Sequence, residues 1–528
     1  MSTTDISYSS TRYLAFWTGV VFLVGYWLIG YDGITFSDDV YYLLAGKSFW
    51  EGTMEVNAYH FSTRWGAYVP SGLFGSLLGF EPHRISLVSL LSYVGTLWLL
   101  IKILPDKVNP WLLVIWSCTQ VYFLHFLTKV YPDSLLVFWT ILIPFSATFR
   151  SKRPVLAALG VISGLFFGFI TKETIVFMAL LPVLLFAWDW KKAKSNLSFY
   201  AWLVGLGLVV GSLYLGYFWF QFGSPFYRFE SIQDGHYISE FTYADKSIWV
   251  MIKRLSILPI LTFVERSYWL WFVFAIPGLY KLWKNPQSPG LEFGLGFLSL
   301  LICFWFMSTN FRFYNPIYLN PRHLIILVPI LGFLIALGWE EWQANLKLKR
   351  VITGLILLGV VISLIQQDWK MAGFQFVGIG ILYILKDIKL TWAFGIYLLI
   401  PAVFSVSYQR NLKEFPSMLQ TLRMEASNSE NQSPILTNNF LDFSKKVLLP
   451  DNPDSQKLLV PIEKLDSIKS NPPQEIRVLL YDYYRHAYPK EQVDVTALEK
   501  WLEMEYAPVS ETRKDLVWIR TFRRNDPQ

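Results

Sequence analysis

The sequence predicts an α-helical polytopic membrane protein of about thirteen transmembrane helices, with juxtamembrane helices in its first outer loop and a C-terminal extracytoplasmic α/β domain. Three observations carry that reading. Of the 528 residues, 53% are hydrophobic and only 16% charged, against ~25% charged in soluble domains. Apolar runs near the ~20 residues that a bilayer requires recur along the first four hundred positions. Lys and Arg alternate between rich and poor loops, as they do in membrane proteins with a fixed orientation.

The runs fall at 13–31, 85–104, 110–127, 133–149, 154–171, 174–190, 200–221, 267–283, 292–308, 323–339, 350–366, 372–386 and 389–408. The apolar stretch 255–264 is too short to cross and is expected to re-enter or lie flat. The 23 Trp and 29 Tyr suit the interfacial belts of many crossings. The first run is too long for a signal h-region and no small-residue cleavage pattern follows it, so it is expected to remain as a span. Cys118 and Cys303 both lie inside apolar runs, which argues against a structural disulfide and against zinc.

A cytoplasmic N-terminus assigns Lys102/Lys107, Arg150/Lys152/Arg153, Lys191/Lys192/Lys194, Lys281/Lys284, Lys347/Lys349/Arg350 and Lys386/Lys389 to cytoplasmic loops. The short loops opposite carry only Lys129, Lys172, Arg312, Arg322 and Lys370. The net charge of +7 is thereby explained by orientation, and a nucleic-acid partner is not expected. Residues 1–408 form the membrane domain on this reading, and 409–528 lie outside. In the tail, Leu412–Met424 and Val495–Tyr506 read as helices, and Lys457–Ile462, Glu475–Tyr484 and Leu516–Phe522 as strands. The polar run Ala426–Pro434 reads as a loop.

Ionisable residues collect at span ends on the outer face. Ser37-Asp38-Asp39 opens a helix directly after the first span. Ser37 is placed to cap it, Asp38 and Asp39 fall in its first turn, and Val40, Leu43, Leu44 and Phe49 give it an apolar side that would lie along the membrane surface. Ser-Asp-Asp is equally an ordinary helix start. Arg64-Trp65-Gly66 follows in the same loop, then Lys129-Val130-Tyr131-Pro132-Asp133, Thr171-Lys172-Glu173 and Arg322. Taken singly, each is as well read as an interfacial anchor or a local ion pair. Together they predict an outward cavity holding both signs of charge, where a carboxylate takes a proton from an acceptor and cations hold a phosphate leaving group. Two other motifs carry no such chemistry. Gly205, Gly207 and Gly211 lie inside a span with the wrong spacing for a dinucleotide site, and close helix packing is expected of them. Asn196-Leu197-Ser198 matches a glycosylation acceptor but falls in an expected cytoplasmic loop.

The order of these features resembles the membrane glycosyltransferases of the C-type fold, which include protein O-mannosyltransferases and lipid A aminoarabinose transferases. The resemblance rests on Asp38-Asp39 in the first large outer loop, Arg64 and Gly66 downstream, Tyr131 and Asp133 opening the fourth span, Thr171-Lys172 after the fifth, and Pro321-Arg322-His323-Leu324. It implies transfer of a sugar from a polyprenyl-phosphate donor to a protein, lipid or glycan acceptor, with inversion, at the outer face of a bacterial inner membrane. It implies Asp38 as catalytic base, with Asp39 beside it. Asp39, Asp133 and Glu173 would orient the acceptor or help bind a divalent cation, and Arg64, Lys129, Lys172 and Arg322 would bind the donor phosphate. The acidic pair is Asp-Asp where protein mannosyltransferases more often have Asp-Glu, and their inserted lumenal repeat domain has no counterpart here. No His or carboxylate cluster has metal-ligand spacing. A transporter or flippase for lipid-linked glycans would place its charges at mid-span on broken helices, often with repeats, whereas here they crowd one surface. A polymerase or a scaffold displaying the tail accounts less well for an acidic pair directly after the first span.

Overall fold

The computed structural model describes residues 3–192, 197–235, 242–243, 245–385, 387–427 and 433–525. Lys194, Asn196, Lys386 and residues 428–432 of the expected tail loop lie outside them. The chain divides into two compact units. One comprises Met1–Ile29, Thr53–Pro70 and Ser86–Val403; the other comprises Gly30–Gly52, Ser71–Ile85 and Phe404–Gln528.

The first unit is built of packed apolar helices, and each predicted span meets one. Among the described residues of the whole chain, seven helical segments are long and apolar enough to cross a membrane, or eight counting one bent pair. Three expected continuous spans are broken. Residues 110–127 form two helices, Pro110–Cys118 and Val121–Leu127, bent by 72°. The break is stabilised locally: Gln120 Oε1 accepts from the Phe123 amide at 2.8 Å, satisfying an N-terminal donor of the second helix. Residues 173–179 wind as 3₁₀ before the Leu180–Lys191 helix, and Pro321–Leu324 is separated from Leu327–Ala344.

Small residues let neighbouring helices approach. Gly278 and Gly338 face each other so closely that a Cβ on either would meet backbone. Within the Gly205–Gly211 run the expectation is met at Gly207 alone, where a Cβ would touch Ile162 of the helix Pro154–Thr171 at 3.5 Å. Gly205 and Gly211 have open space around them, and Gly207 and Gly211 also line an apolar cavity of about 450 Å³ shared with Ile162, Phe166, Phe169 and Tyr214. Arg150, expected only as a loop charge, is buried. It chelates Asp189 at 2.7 and 2.9 Å and also pairs with Glu292.

The second unit carries a five-stranded sheet of order β2-β1-β3-β5-β4, with β1 Ile435–Thr437, β2 Leu459–Pro461, β3 Glu475–Tyr481, β4 Tyr506–Lys514 and β5 Val517–Arg524. β1 runs parallel to β2 and β3, whereas β5 is antiparallel to both β3 and β4. The three expected strands are present, with Lys457 ending a helix rather than starting a strand. β1 is only three residues long, and β4 is polar and bulged beside Pro508, so neither carries the alternation by which strands are read. The expected helices appear as Phe415–Ala426 and Gln492–Glu505. The first is separated from the preceding helix Asp387–Lys413 at Glu414, whose φ is +45°.

Candidate functional site

In the first unit, the 3₁₀ turn His60–Thr63 delivers Arg64 to the start of the helix Trp65–Leu78. Gly66 lies directly against Thr171, where a Cβ would collide with the Thr171 Oγ1 and crowd its backbone, so glycine is needed at this contact. That contact brings the Arg64-Trp65-Gly66 motif onto the Thr171-Lys172-Glu173 turn. Arg64 grips the Glu173 carboxylate with two bonds, Nε at 3.1 Å and Nη2 at 2.7 Å. Arg228 adds a third at 3.0 Å, and also donates to the carbonyls of Thr63 at 3.1 Å and Phe169 at 2.6 Å. Both guanidinium groups lie over aromatic rings, Arg64 on Phe61 at 4.3 Å and Arg228 on Phe169 at 4.2 Å.

Asp133 sits in the first turn of the helix Pro132–Ala147, as expected. Its Oδ1 accepts from Lys172 Nζ at 2.6 Å, and the two side chains are 1% and 7% exposed. Its Oδ2 is buried with no hydrogen-bond partner among the described residues. Arg322 is held at the start of a short helix whose Asn320 side chain accepts from the Arg322 amide at 3.1 Å, and its guanidinium stands 5.3 Å from the Tyr131 ring. Lys129 is buried, its carbonyl accepting from Ser89 Oγ at 2.7 Å.

Electrostatics tie these groups together. Burial pushes the Lys172 ammonium down to about 8; Asp133 opposes the shift, and the charges of Arg322 and Arg64 deepen it. Three buried cations, Arg64, Arg228 and Lys172, thus share two carboxylates, Glu173 and Asp133, and the charge of half-buried Arg322 also acts on Lys172. Cations gathered at so little exposure to solvent attract negative charge strongly. The cluster is therefore suited to receive an anion. Glu173 already serves two arginines.

In the second unit, Asp38 and Asp39 open the helix Asp38–Trp50, but the capping differs from expectation. Ser37 makes no side-chain cap. Asp39 instead folds back on the preceding loop: its carboxylate accepts from the Thr35 amide at 2.6 Å, Thr35 Oγ1 at 2.7 Å, the Ser37 amide at 3.1 Å and its neighbour Val40's amide at 3.1 Å. Asp39 is 1% exposed, whereas Asp38 is half-buried, with Ser37 Oγ 3.4 Å from its Oδ1. The two acidic residues are thus distinguished, one committed to holding the loop and the other more open. The helix buries Val40, Tyr42, Leu43 and Ala45, while Phe49 is exposed.

Among the described residues no group of three or more His, Cys, Asp or Glu is gathered as a metal site. The carboxylates named for that role are engaged elsewhere, Asp39 with four donors, Glu173 with two arginines and Asp133 with Lys172. With these partners they are not gathered, among the described residues, as a ligand set for a divalent cation.

Arg228 is the member that sequence reading passes over. Its signal is a lone cation within the aromatic run Phe226-Tyr227-Arg228-Phe229, just after a long span.

No family model matches this chain, and no curated protein does. Two solved structures of ArnT from Cupriavidus metallidurans are similar to it, each with a TM-score of 0.56 and each covering 98% of this chain. One is bound to undecaprenyl phosphate, at 10% identity over 98% of the ArnT chain; the other is the apo state, at 12% identity over 97%. At such identity the likeness lies in the fold: the chain has the architecture of these two ArnT structures, and its described residues include seven or eight segments long and apolar enough to cross a membrane.

Proposed function

We propose that the protein is a membrane glycosyltransferase that moves a sugar from a polyprenyl-phosphate carrier to an acceptor. The observation that carries this reading is the convergence of positive charge on Lys172, where the fields of Arg322 and Arg64 meet a buried ammonium. It calls for an anion, and the chemistry assigned to the fold supplies one in the carrier's phosphate. Lys172, Arg64 and Arg322 hold that phosphate and stabilise the charge that develops on it as the glycosidic bond breaks. Lys129 lends further positive charge nearby in sequence. The apolar cavity bordered by Phe169, Val176 and Phe229 flanks the Lys172-Glu173 turn, and suits the isoprenoid tail of a ligand whose head is charged. The ArnT structure that holds undecaprenyl phosphate supports the same class of donor.

Asp38 is the base in this reading. It removes a proton from the acceptor nucleophile, which attacks the anomeric carbon from the side opposite the phosphate and inverts it. Asp39, saturated by backbone and side-chain donors, keeps the loop in shape, and Asp133 orients Lys172 or the acceptor. The loop distribution of Lys and Arg supports a site on the extracytoplasmic side, with the N-terminus inside and the tail outside, and a bacterial inner membrane fits the same reading.

Native mass spectrometry of the detergent-solubilised protein with undecaprenyl phosphate tests the donor assignment. The wild type retains the lipid, Lys172→Ala and Arg322→Ala weaken retention at least about ten-fold, and undecaprenol without phosphate is not retained. Equal retention of phosphate and alcohol would remove the cation cluster from the donor site.

A further inference from the structure

The loop carrying the acidic pair is held in shape by the C-terminal tail. Four contacts occur in succession along residues 32–36, all within the second unit. The Asp32 carboxylate lies 3.0 Å from Lys413 Nζ, with both side chains 2% exposed or less, and the same ammonium donates to the Ile34 carbonyl at 3.1 Å. Gly33, at φ +93°, lies flat against the Phe415 ring, where no Cβ would fit. The Tyr488 hydroxyl reaches two consecutive carbonyls, Thr35 at 3.1 Å and Phe36 at 3.0 Å, its single proton shared between them. Phe36 has φ +58°, a left-handed conformation that strains a non-glycine residue. Its ring is enclosed by Phe440 at 5.1 Å, Phe415 at 6.0 Å, and Tyr481 and Tyr483 at 6.1 Å each.

These contacts lead to the carboxylates. Thr35, whose carbonyl Tyr488 holds, donates both its amide and its hydroxyl to Asp39, next to Asp38. A strained residue directly before a reactive group persists only where its surroundings over-determine it. Here the surroundings are tail residues more than 370 positions away in sequence. Burial raises the Tyr488 hydroxyl above its ordinary value, with the charges of Asp39 and Asp38 adding to the shift, so it stays protonated and remains a donor.

We infer that Tyr488, with Lys413, is a positioning residue: the tail fixes the Thr35–Phe36 backbone and thereby the orientation of the Asp38 carboxylate, so that it sets the rate of transfer. The inference rests on the reading of Asp38 as base. A tail that only displayed an acceptor would have no reason to grip this backbone.

The test is Tyr488→Phe in the full-length protein, which keeps the ring stacked on Phe440 at 4.6 Å and removes only the hydroxyl. Turnover is measured in membranes, with polyprenyl-phosphate sugar extracted from the same cells varied as donor. The expected result is a fall in kcat on the order of ten-fold or more, since small misplacements of a reacting group are costly, with donor KM unchanged and the melting temperature preserved. Wild-type kcat in Tyr488→Phe would overturn the inference, as would a loss explained wholly by less folded protein. Asp38→Asn run alongside separates the two claims. Normal turnover there sinks the base assignment itself, whereas an inactive Asp38→Asn beside a fully active Tyr488→Phe sinks only the positioning role.

Discussion

Lys172 and Asp133 form a nearly solvent-free ion pair with 2.6 Å between Nζ and Oδ1, yet the field of Arg322 and Arg64 and the loss of solvent outweigh the pairing and leave the ammonium easier to deprotonate than usual. A lysine so placed is poised to gain a second anion.

Replacing Lys172 with Ala should raise the donor KM by about ten- to hundred-fold, equivalent to losing a charge-assisted hydrogen bond of ~1.5–3 kcal/mol, with a smaller effect on kcat. Steady-state kinetics with varied lipid-linked donor check this, and an unchanged KM would take Lys172 out of phosphate binding.

The same residue predicts a pH dependence. In the free protein Lys172 loses its proton near pH 8, so kcat/KM for the donor should fall as pH rises through about 8. Stability moves the other way. The folded value lies below the ordinary 10.5, so between about 8 and 10.5 the unfolded chain binds more protons and the folded state gains stability as pH rises. A pH–rate profile of Lys172→Arg should lack the alkaline fall. The groups that bear on Lys172 are Asp133, Arg322, Arg64 and His323.

Glu173 is predicted to be a structural clamp. Glu173→Gln takes from Arg64 and Arg228, 4% and 0% exposed, the one carboxylate that both grip. Breaking a buried pair from one side costs about 3–5 kcal/mol. Thermal melting in detergent should show a clear loss of stability; an unaltered melting temperature would contradict the clamp.

Gly66→Ala should force Arg64 and the Thr171-Lys172 turn apart, at a cost of about 1–3 kcal/mol for overpacking. Combining it with Thr171→Ala removes the colliding hydroxyl and should recover part of the loss in melting temperature and activity. No recovery would mean that the contact is not the cause.

Much of this protein is legible in its sequence because membrane helices declare themselves. A run such as 154–171 needs only length and apolarity to be found, and the helix Pro154–Thr171 coincides with it. The break at Gln120 is invisible for the opposite reason: no proline or glycine marks it, and it depends on a side chain replacing a backbone partner. The site is legible as a set of residue types but not as partnerships. Asp133 and Lys172 stand 39 positions apart, and nothing local says that they pair. Arg228 reads as one more loop charge until Glu173 is seen between it and Arg64. Asp38 and Asp39 look equivalent in sequence; only the four donors around Asp39 separate the loop-holding carboxylate from its neighbour.

Sugar transfer with Asp38 as base is tested by a mass-spectrometric comparison of glycans and glycolipids from cells carrying wild-type protein or Asp38→Asn. The expected result is loss of one sugar unit from a defined acceptor, accumulation of the polyprenyl-phosphate donor, and a normally folded, membrane-inserted variant. Unchanged glycans and glycolipids in Asp38→Asn cells would contradict it, and lipid-linked glycan trapped on the cytoplasmic leaflet would point to transport instead.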